Sequence, residues 1–274
     1  MKRSEIRDQP IRWRDCSRIA LRSIRATMLP AGFLGTMSLH FILVAGPLVR
    51  ASSWEPTAEC LRAAGCHVRV PDVLAHHRPP PSWRAWTSQL LEHVTGGNEP
   101  IVVGHSSASV LAADLATRLP ARGIIIVDGE VPPSQGAAFP VRPALRDFIK
   151  GLVEPDGMLP IWSRWFARDM QRMSLVGLDV LARDAVAFAR FESGLPRMHI
   201  DWFDDAIELA NWDYIPAGFI QTSAIYDHAA IAAQQRGWPV TNLRGTHLHP
   251  TLHPAETANA ILAMSRQLVP GGKH

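Results

Sequence analysis

Cysteine is scarce in this chain of 274 residues: Cys16, Cys60 and Cys66 are the only three. The number is odd and the spacings fit no metal or redox motif, which argues against a disulfide-stapled scaffold and fits a reducing cytoplasm. No apolar run approaches the ~18–20 residues that cross a bilayer. Internal repeats and low-complexity tracts are absent too, which excludes solenoids and compositionally biased linkers. Charge is modest, 19% of residues with a formal net of +3, and its distribution matters more than its sum. Residues 1–36 hold eight Lys/Arg against three acids, leaving 20 basic and 22 acidic residues in the remainder. The body of the chain therefore offers no basic surface for nucleic acid or membrane. The early arginines are scattered rather than placed before an apolar core, unlike a secretory signal. The expectation is a basic arm over 1–36 and a fold beginning near Met37.

What is present is a regular alternation. Strands are predicted at Leu39–Ala45, His67–Val70, Ile101 onward and Gly123–Asp128, and helices at Ala51–Ala64, Trp83–Val94 and after Ser107. Continuous apolar strands separated by segments of helical length imply a parallel sheet covered on both faces. After Gly129 the alternation stops. Residues 130 to about 214 show amphipathic stretches near 142–153, 160–173, 176–191 and 200–210, and no convincing strand. Alternation resumes with a strand at Ala217–Ala224, a helix at His228–Arg236, a strand at Pro239–Leu243, a loop at Gly245–His253 and a closing helix at Ala255–Leu268. Cys60 and Cys66 are read as small apolar residues on and just after one helix.

The stretch Ile101-Val102-Val103-Gly104-His105-Ser106-Ser107-Ala108 runs from strand through a sharp turn into a helix, with a serine at the turn. Such a turn lifts the hydroxyl beyond the strand end, and small neighbours let strand and helix approach closely. Gly104-His105-Ser106-Ser107-Ala108 resembles the G-x-S-x-G nucleophile elbow of the α/β-hydrolase fold, with Ala108 in place of the last glycine. Leu243-Arg244-Gly245-Thr246-His247-Leu248, with Pro254 beyond it, resembles the family's histidine loop. The helical stretch between the sheet halves looks like the family's cap. The resemblance spans about residues 38–268. It implies an α/β-hydrolase core over 37–132 and 215–274, with a helical cap over 133–214.

A serine hydroxyl needs a base within reach and a third group to orient that base. The resemblance makes Ser106 the nucleophile and His247 the base. For the acid, Asp227, after the strand near Ala224, is favoured over Asp128, which follows the strand Gly123–Val127. Asp227 also suits a helix N-cap. One oxyanion donor would be the Ser107 N–H. The second would come from Ala45-Gly46-Pro47-Leu48, where Pro47 has no N–H, so Leu48 or Val49 would supply it through a shifted loop. His105, Pro47, Trp162, Trp165 and Phe166 are expected to line the substrate site, and the aromatic cap implies a small-molecule substrate with an apolar portion. His249 and His253 are read as loop residues, His76 and His77 as solvated, and Asp201, Asp204 and Asp205 as surface groups. No metal or cofactor is called for, and the oligomeric state stays open between monomer and homodimer. Hydrolysis of an ester or lactone is the leading expectation. Elimination with the same Ser–His pair and non-catalytic ligand binding are the alternatives.

Overall fold

Strand β1 (His40–Val44) begins the described part of the chain; the computed structural model describes residues 38–74, 82–94 and 99–268. The predicted arm over 1–36, the start at Met37 and the pair His76-His77 lie outside these residues. After β1 come helix α1 (Glu55–Ala63), β2 (His67–Arg69), α2 (Trp83–Val94), β3 (Ile101–His105), α3 (Ala108–Thr117) and β4 (Gly123–Val127). Beyond the insertion follow β7 (Ala217–Gln221), α8 (Asp227–Gln235), β8 (Val240–Asn242), a helical turn α9 (His249–Leu252) and α10 (Pro254–Leu268). Cys60 is buried in α1, and neither it nor Cys66 is in a disulfide.

The main sheet runs β2-β1-β3-β4-β7-β8, and every pairing is parallel. Strands β3, β4 and β7 are buried at every position, which is why they read as unbroken apolar runs. Edge strands β2 and β8 are short and partly exposed, so they offer little template for further pairing. The strand order reverses between β1 and β3. In open parallel sheets a ligand crevice forms at that point, beyond the carboxyl ends of the strands.

The segment between β4 and β7 carries helices α4 (Pro143–Lys150), α5 (Met170–Val176), α6 (Leu178–Leu181) and α7 (Ala185–Glu192). They are shorter than the amphipathic stretches predicted. Asp169 accepts from the Arg172 N–H and opens α5, and Gly177, at φ +90°, ends it. Residues 162–164 form only a 3₁₀ turn. The segment also contains the strand pair β5 (Gly136–Ala138) and β6 (Ile207–Leu209), antiparallel with Ala137 opposite Glu208. This corrects the expectation of no strand here. Two three-residue strands paired across a long stretch of chain leave no periodicity to detect. Trp202 anchors the insertion on α2: its ring meets Trp83 and Trp86 edge-on at 4.9 and 5.4 Å. The Trp83 Nε1–H donates to the Trp202 carbonyl at 2.7 Å.

Candidate active site

The turn after β3 is as tight as its sequence implies. Ser106 takes φ +59°, a left-handed conformation that a side-chain-bearing residue holds only when its surroundings require it. Those surroundings are the next strand and the helix behind. Ser106 N–H donates to the Val127 carbonyl at 3.1 Å. A Cβ at Gly104 would lie 2.7 Å from both the Ala108 carbonyl oxygen and the Ala112 Cβ. Only glycine there lets α3 start directly behind the serine.

Register sets which carboxylate meets His247. His105 pairs with Val127, so Ser106 and Asp128 are the first residues beyond two adjacent strands. Asp128 also has a positive φ, +44°, and its carboxylate is fully buried. Its Oδ2 accepts from His247 Nδ1 at 2.7 Å and from the Ser223 hydroxyl at 2.6 Å. Its Oδ1 accepts from the N–H groups of Thr222 and Ser223 at 2.9 and 2.8 Å. On the far side of the imidazole, His247 Nε2 lies 3.0 Å from the Ser106 Oγ. Burial pushes the Asp128 carboxyl up, but the hydrogen bonds from His247 and Ser223 outweigh it and hold the group below the usual carboxylate range. A carboxylate there accepts from Nδ1–H and leaves Nε2 unprotonated toward Ser106.

Asp227, favoured from sequence as the orienting acid, is not bonded to His247. Its carboxylate accepts from the Gln221 side-chain amide. A 3₁₀ turn at Ala224–Tyr226 carries the chain away from the sheet before Asp227 begins α8. Tyr226 instead faces the site, and nothing in its sequence context signals this. Its buried ring stacks on His247 at 5.6 Å and 25°.

His105, expected to contact substrate, is buried behind the turn and points away from Ser106. Its Nε2 lies 3.0 Å from the His247 carbonyl oxygen, and its ring packs against Trp54 and His247. Burial, reinforced by the charge of His247, pushes its pKa down to about 3. The neutral ring thus donates to the histidine loop and holds it. The same loop is tied from above: the His247 and Leu248 N–H groups donate to the carbonyls of Leu175 and Val176 at the end of α5, at 3.3 and 3.0 Å. Of the two further histidines read as loop residues, His249 differs and His253 does not. His249 is buried in α9 with Nε2 3.2 Å from the Glu256 carboxylate, while His253 is exposed.

Of the aromatic residues in the insertion, Trp162 reaches the site, its ring 6.1 Å from His247. Phe166 backs Trp162 edge-on at 5.8 Å. Trp165 belongs to the insertion's interior, packing on Phe203 and donating to the Pro160 carbonyl at 2.8 Å. Gly46 lies against the turn: a Cβ there would sit 3.3 Å from the Ser107 Oγ and 3.7 Å from the Ser106 Cβ. Pro47 follows, buried, and the Val49 N–H closes a turn onto the Gly46 carbonyl at 3.0 Å. That occupies one of the two N–H groups expected to replace the one Pro47 lacks, leaving Leu48. Among the described residues, no group of three or more His, Cys, Asp or Glu could hold a metal ion, and no helix is long and apolar enough to cross a membrane.

A strand-end serine, an imidazole and a buried carboxylate aligned at the carboxyl edge of a parallel sheet are the arrangement of α/β hydrolases. Residues 41–260 match the sequence model of the Alpha/beta hydrolase family, and the chain belongs to that family. Solved structures agree on the fold. An extracellular α/β-hydrolase from a Paenibacillus species, described as sharing structural and functional homology with tobacco salicylic acid binding protein 2, is 18% identical. It superposes with a TM-score of 0.65 over 82% of this chain and 98% of its own. Tomato methylketone synthase I, solved with 2-tridecanone, is 16% identical, with a TM-score of 0.65 over 85% of this chain and 99% of its own. Polyneuridine aldehyde esterase is 14% identical, with a TM-score of 0.63 over 84% and 100%. No curated protein matches the chain.

Proposed function

We propose that the protein is a serine hydrolase that cleaves an ester or lactone of a small, partly apolar metabolite through an acyl-serine intermediate. The observation that carries this is the unbroken hydrogen-bond chain Ser106–His247–Asp128, with distances of 3.0 and 2.7 Å. Ser106 attacks the acyl carbon while His247 Nε2 takes its proton. Asp128 holds the imidazole in the required tautomer and stabilises the imidazolium that forms. The Ser107 N–H, at the start of α3, faces the oxygen that becomes negative. His247 then protonates the leaving alkoxide, and the same groups activate water to release the acid. Trp162 and Phe166 supply apolar surface beside the reacting centre.

A second reading keeps the Ser–His pair for proton abstraction and elimination. It is favoured by Pro47, which removes an N–H from the loop beside the nucleophile, and by the presence of a methylketone synthase among the structural neighbours. Intact-protein mass spectrometry after fluorophosphonate treatment separates the two. Hydrolysis predicts one phosphonyl adduct on the wild type and none on Ser106→Ala, with cleavage of short p-nitrophenyl esters lost in that variant. A folded wild type that takes no adduct removes acyl-serine chemistry and leaves elimination or simple ligand binding.

A further inference from the structure

We propose that Ser223 is a positioning residue of the catalytic chain, its hydroxyl fixing the Asp128 oxygen that faces His247 and sharing that oxygen's negative charge. This rests on the acyl-serine reading, in which the His247 imidazole gains and loses a proton in each half of the cycle.

Two features of the Ser223 hydroxyl point to this role. The first is where its proton goes. Ser223 Oγ accepts from the Ile225 N–H at 3.3 Å and lies 2.6 Å from Asp128 Oδ2. A carboxylate has no proton to give, so the single hydroxyl proton lies on that contact. The separation is that of a charge-assisted O–H···O⁻ bond. The second is which oxygen it meets. Oδ1 is held by the N–H groups of Thr222 and Ser223 at 2.9 and 2.8 Å. Oδ2 is the oxygen that accepts from His247 Nδ1 at 2.7 Å. With Oδ1 fixed, the carboxylate plane can still turn about it, and the Ser223 bond keeps Oδ2 in line with the imidazole. Both residues are buried, so bulk water does not replace a lost donor.

When the Ser106 Oγ bonds the acyl carbon, its proton passes to His247 Nε2 and the ring becomes an imidazolium. Its Nδ1–H still points at Oδ2. The Ser223 O–H draws part of the carboxylate charge to itself, which keeps the Nδ1 proton on nitrogen and the Asp128 side chain an anion. No proton leaves Ser223. The same hydroxyl caps the 3₁₀ turn Ala224–Tyr226. One side chain therefore ties the acid to the turn that lays Tyr226 on His247.

Ser223→Ala removes the hydroxyl and keeps both N–H bonds to Oδ1. On a p-nitrophenyl ester that the wild type cleaves, kcat should fall about 10–100-fold, the worth of one hydrogen bond to a charged group. KM should change less than about threefold. The rate of fluorophosphonate labelling should fall with kcat. The acid limb of the kcat/KM pH profile should move to higher pH, because a carboxylate with one donor fewer favours the imidazolium more strongly. The other ionisable rings against His247 are His105 and Tyr226, and the variant keeps both. A serine that only caps the turn would leave the acid limb where it is. Ser109→Ala is the control: it removes a buried hydroxyl that bonds to nothing among the described residues and should leave kcat unchanged. Should Ser223→Ala not fold, Ser223→Cys nearly keeps the volume with a much weaker donor, and both changes should appear in the same direction. Unchanged kcat in either variant, or lost kcat with an unmoved acid limb, overturns the assignment. A wild type that takes no fluorophosphonate defeats the acyl-serine reading and this inference together. A labelled wild type with Ser223→Ala labelled at the same rate defeats this inference alone.

Discussion

Replacing Asp128 by asparagine is the sharpest perturbation of the site. The carboxylate is buried and accepts four hydrogen bonds, one each from His247, the Ser223 hydroxyl, and the N–H groups of Thr222 and Ser223. An asparagine can keep its oxygen toward Thr222 and Ser223, as Oδ1 lies now. Its amide NH₂ then faces His247 Nδ1 and can only donate. The imidazole must present a lone pair at Nδ1 and carry its proton on Nε2, where it meets the Ser106 hydroxyl instead of accepting from it. The wrong tautomer should lower kcat about 10⁴-fold, or about 5.5 kcal/mol of barrier. Aggregate backbone geometry should change little, because both N–H acceptor bonds survive. Asp227→Asn is the control: Gln221 donates to that carboxylate, an amide oxygen accepts equally, and kcat should stay within about threefold. The assay is steady-state ester cleavage with the rate of fluorophosphonate labelling as a check. Asp128→Asn within tenfold of wild type, or Asp227→Asn as the damaging change, would refute the reasoning.

Three further outcomes follow from the same geometry. Gly177→Ala puts a Cβ 2.5 Å from the Thr246 Oγ1 at a residue with φ +90°. It should cost about 1–3 kcal/mol in urea unfolding and lower kcat by displacing the histidine loop; unchanged stability and activity would show the two are not coupled there. His105→Gln should flatten the acid side of the stability profile. The folded-state pKa lies near 3, below that of the unfolded chain, so between about pH 6.5 and 3 unfolding takes up a proton and stability falls as pH falls. Removing the imidazole should take about 1.4 kcal/mol per pH unit out of that slope; an unchanged slope between pH 6 and 4 would place the acid sensitivity elsewhere. Trp162→Ala should raise KM for esters with long acyl chains more than for acetyl esters, since the ring beside His247 provides apolar contact; equal changes would count against that role.

Much of this protein is legible in order along the chain. Strand–turn–helix at Ile101–Thr117 follows from an apolar run, a glycine and a small-residue helix start, all local signals. The helix Trp83–Val94 and the closing helix after Pro254 have the bounds their periodicity implies, to within a residue. The insertion was harder. Its helices are cut by Asp169, Gly177 and Asp184 into short pieces, and β5 and β6 pair only because the chain ends of the insertion meet.

By itself the sequence determined a parallel α/β sheet, a serine at a sharp turn after one strand and a histidine in the loop after the last, because each is written in a contiguous stretch whose local energetics are decisive. Only the tertiary structure shows that Asp128 bonds His247 while Asp227 bonds Gln221. Both follow strands and both suit a turn; the difference is that strand pairing puts Asp128 level with Ser106 at the end of the adjacent strand, while a 3₁₀ turn lifts Asp227 away and lays Tyr226 on His247. It likewise turned His105 inward to hold the His247 carbonyl. Which way a side chain points at the end of a strand is set by register with its neighbour, and register is a property of two strands that no single stretch of sequence contains.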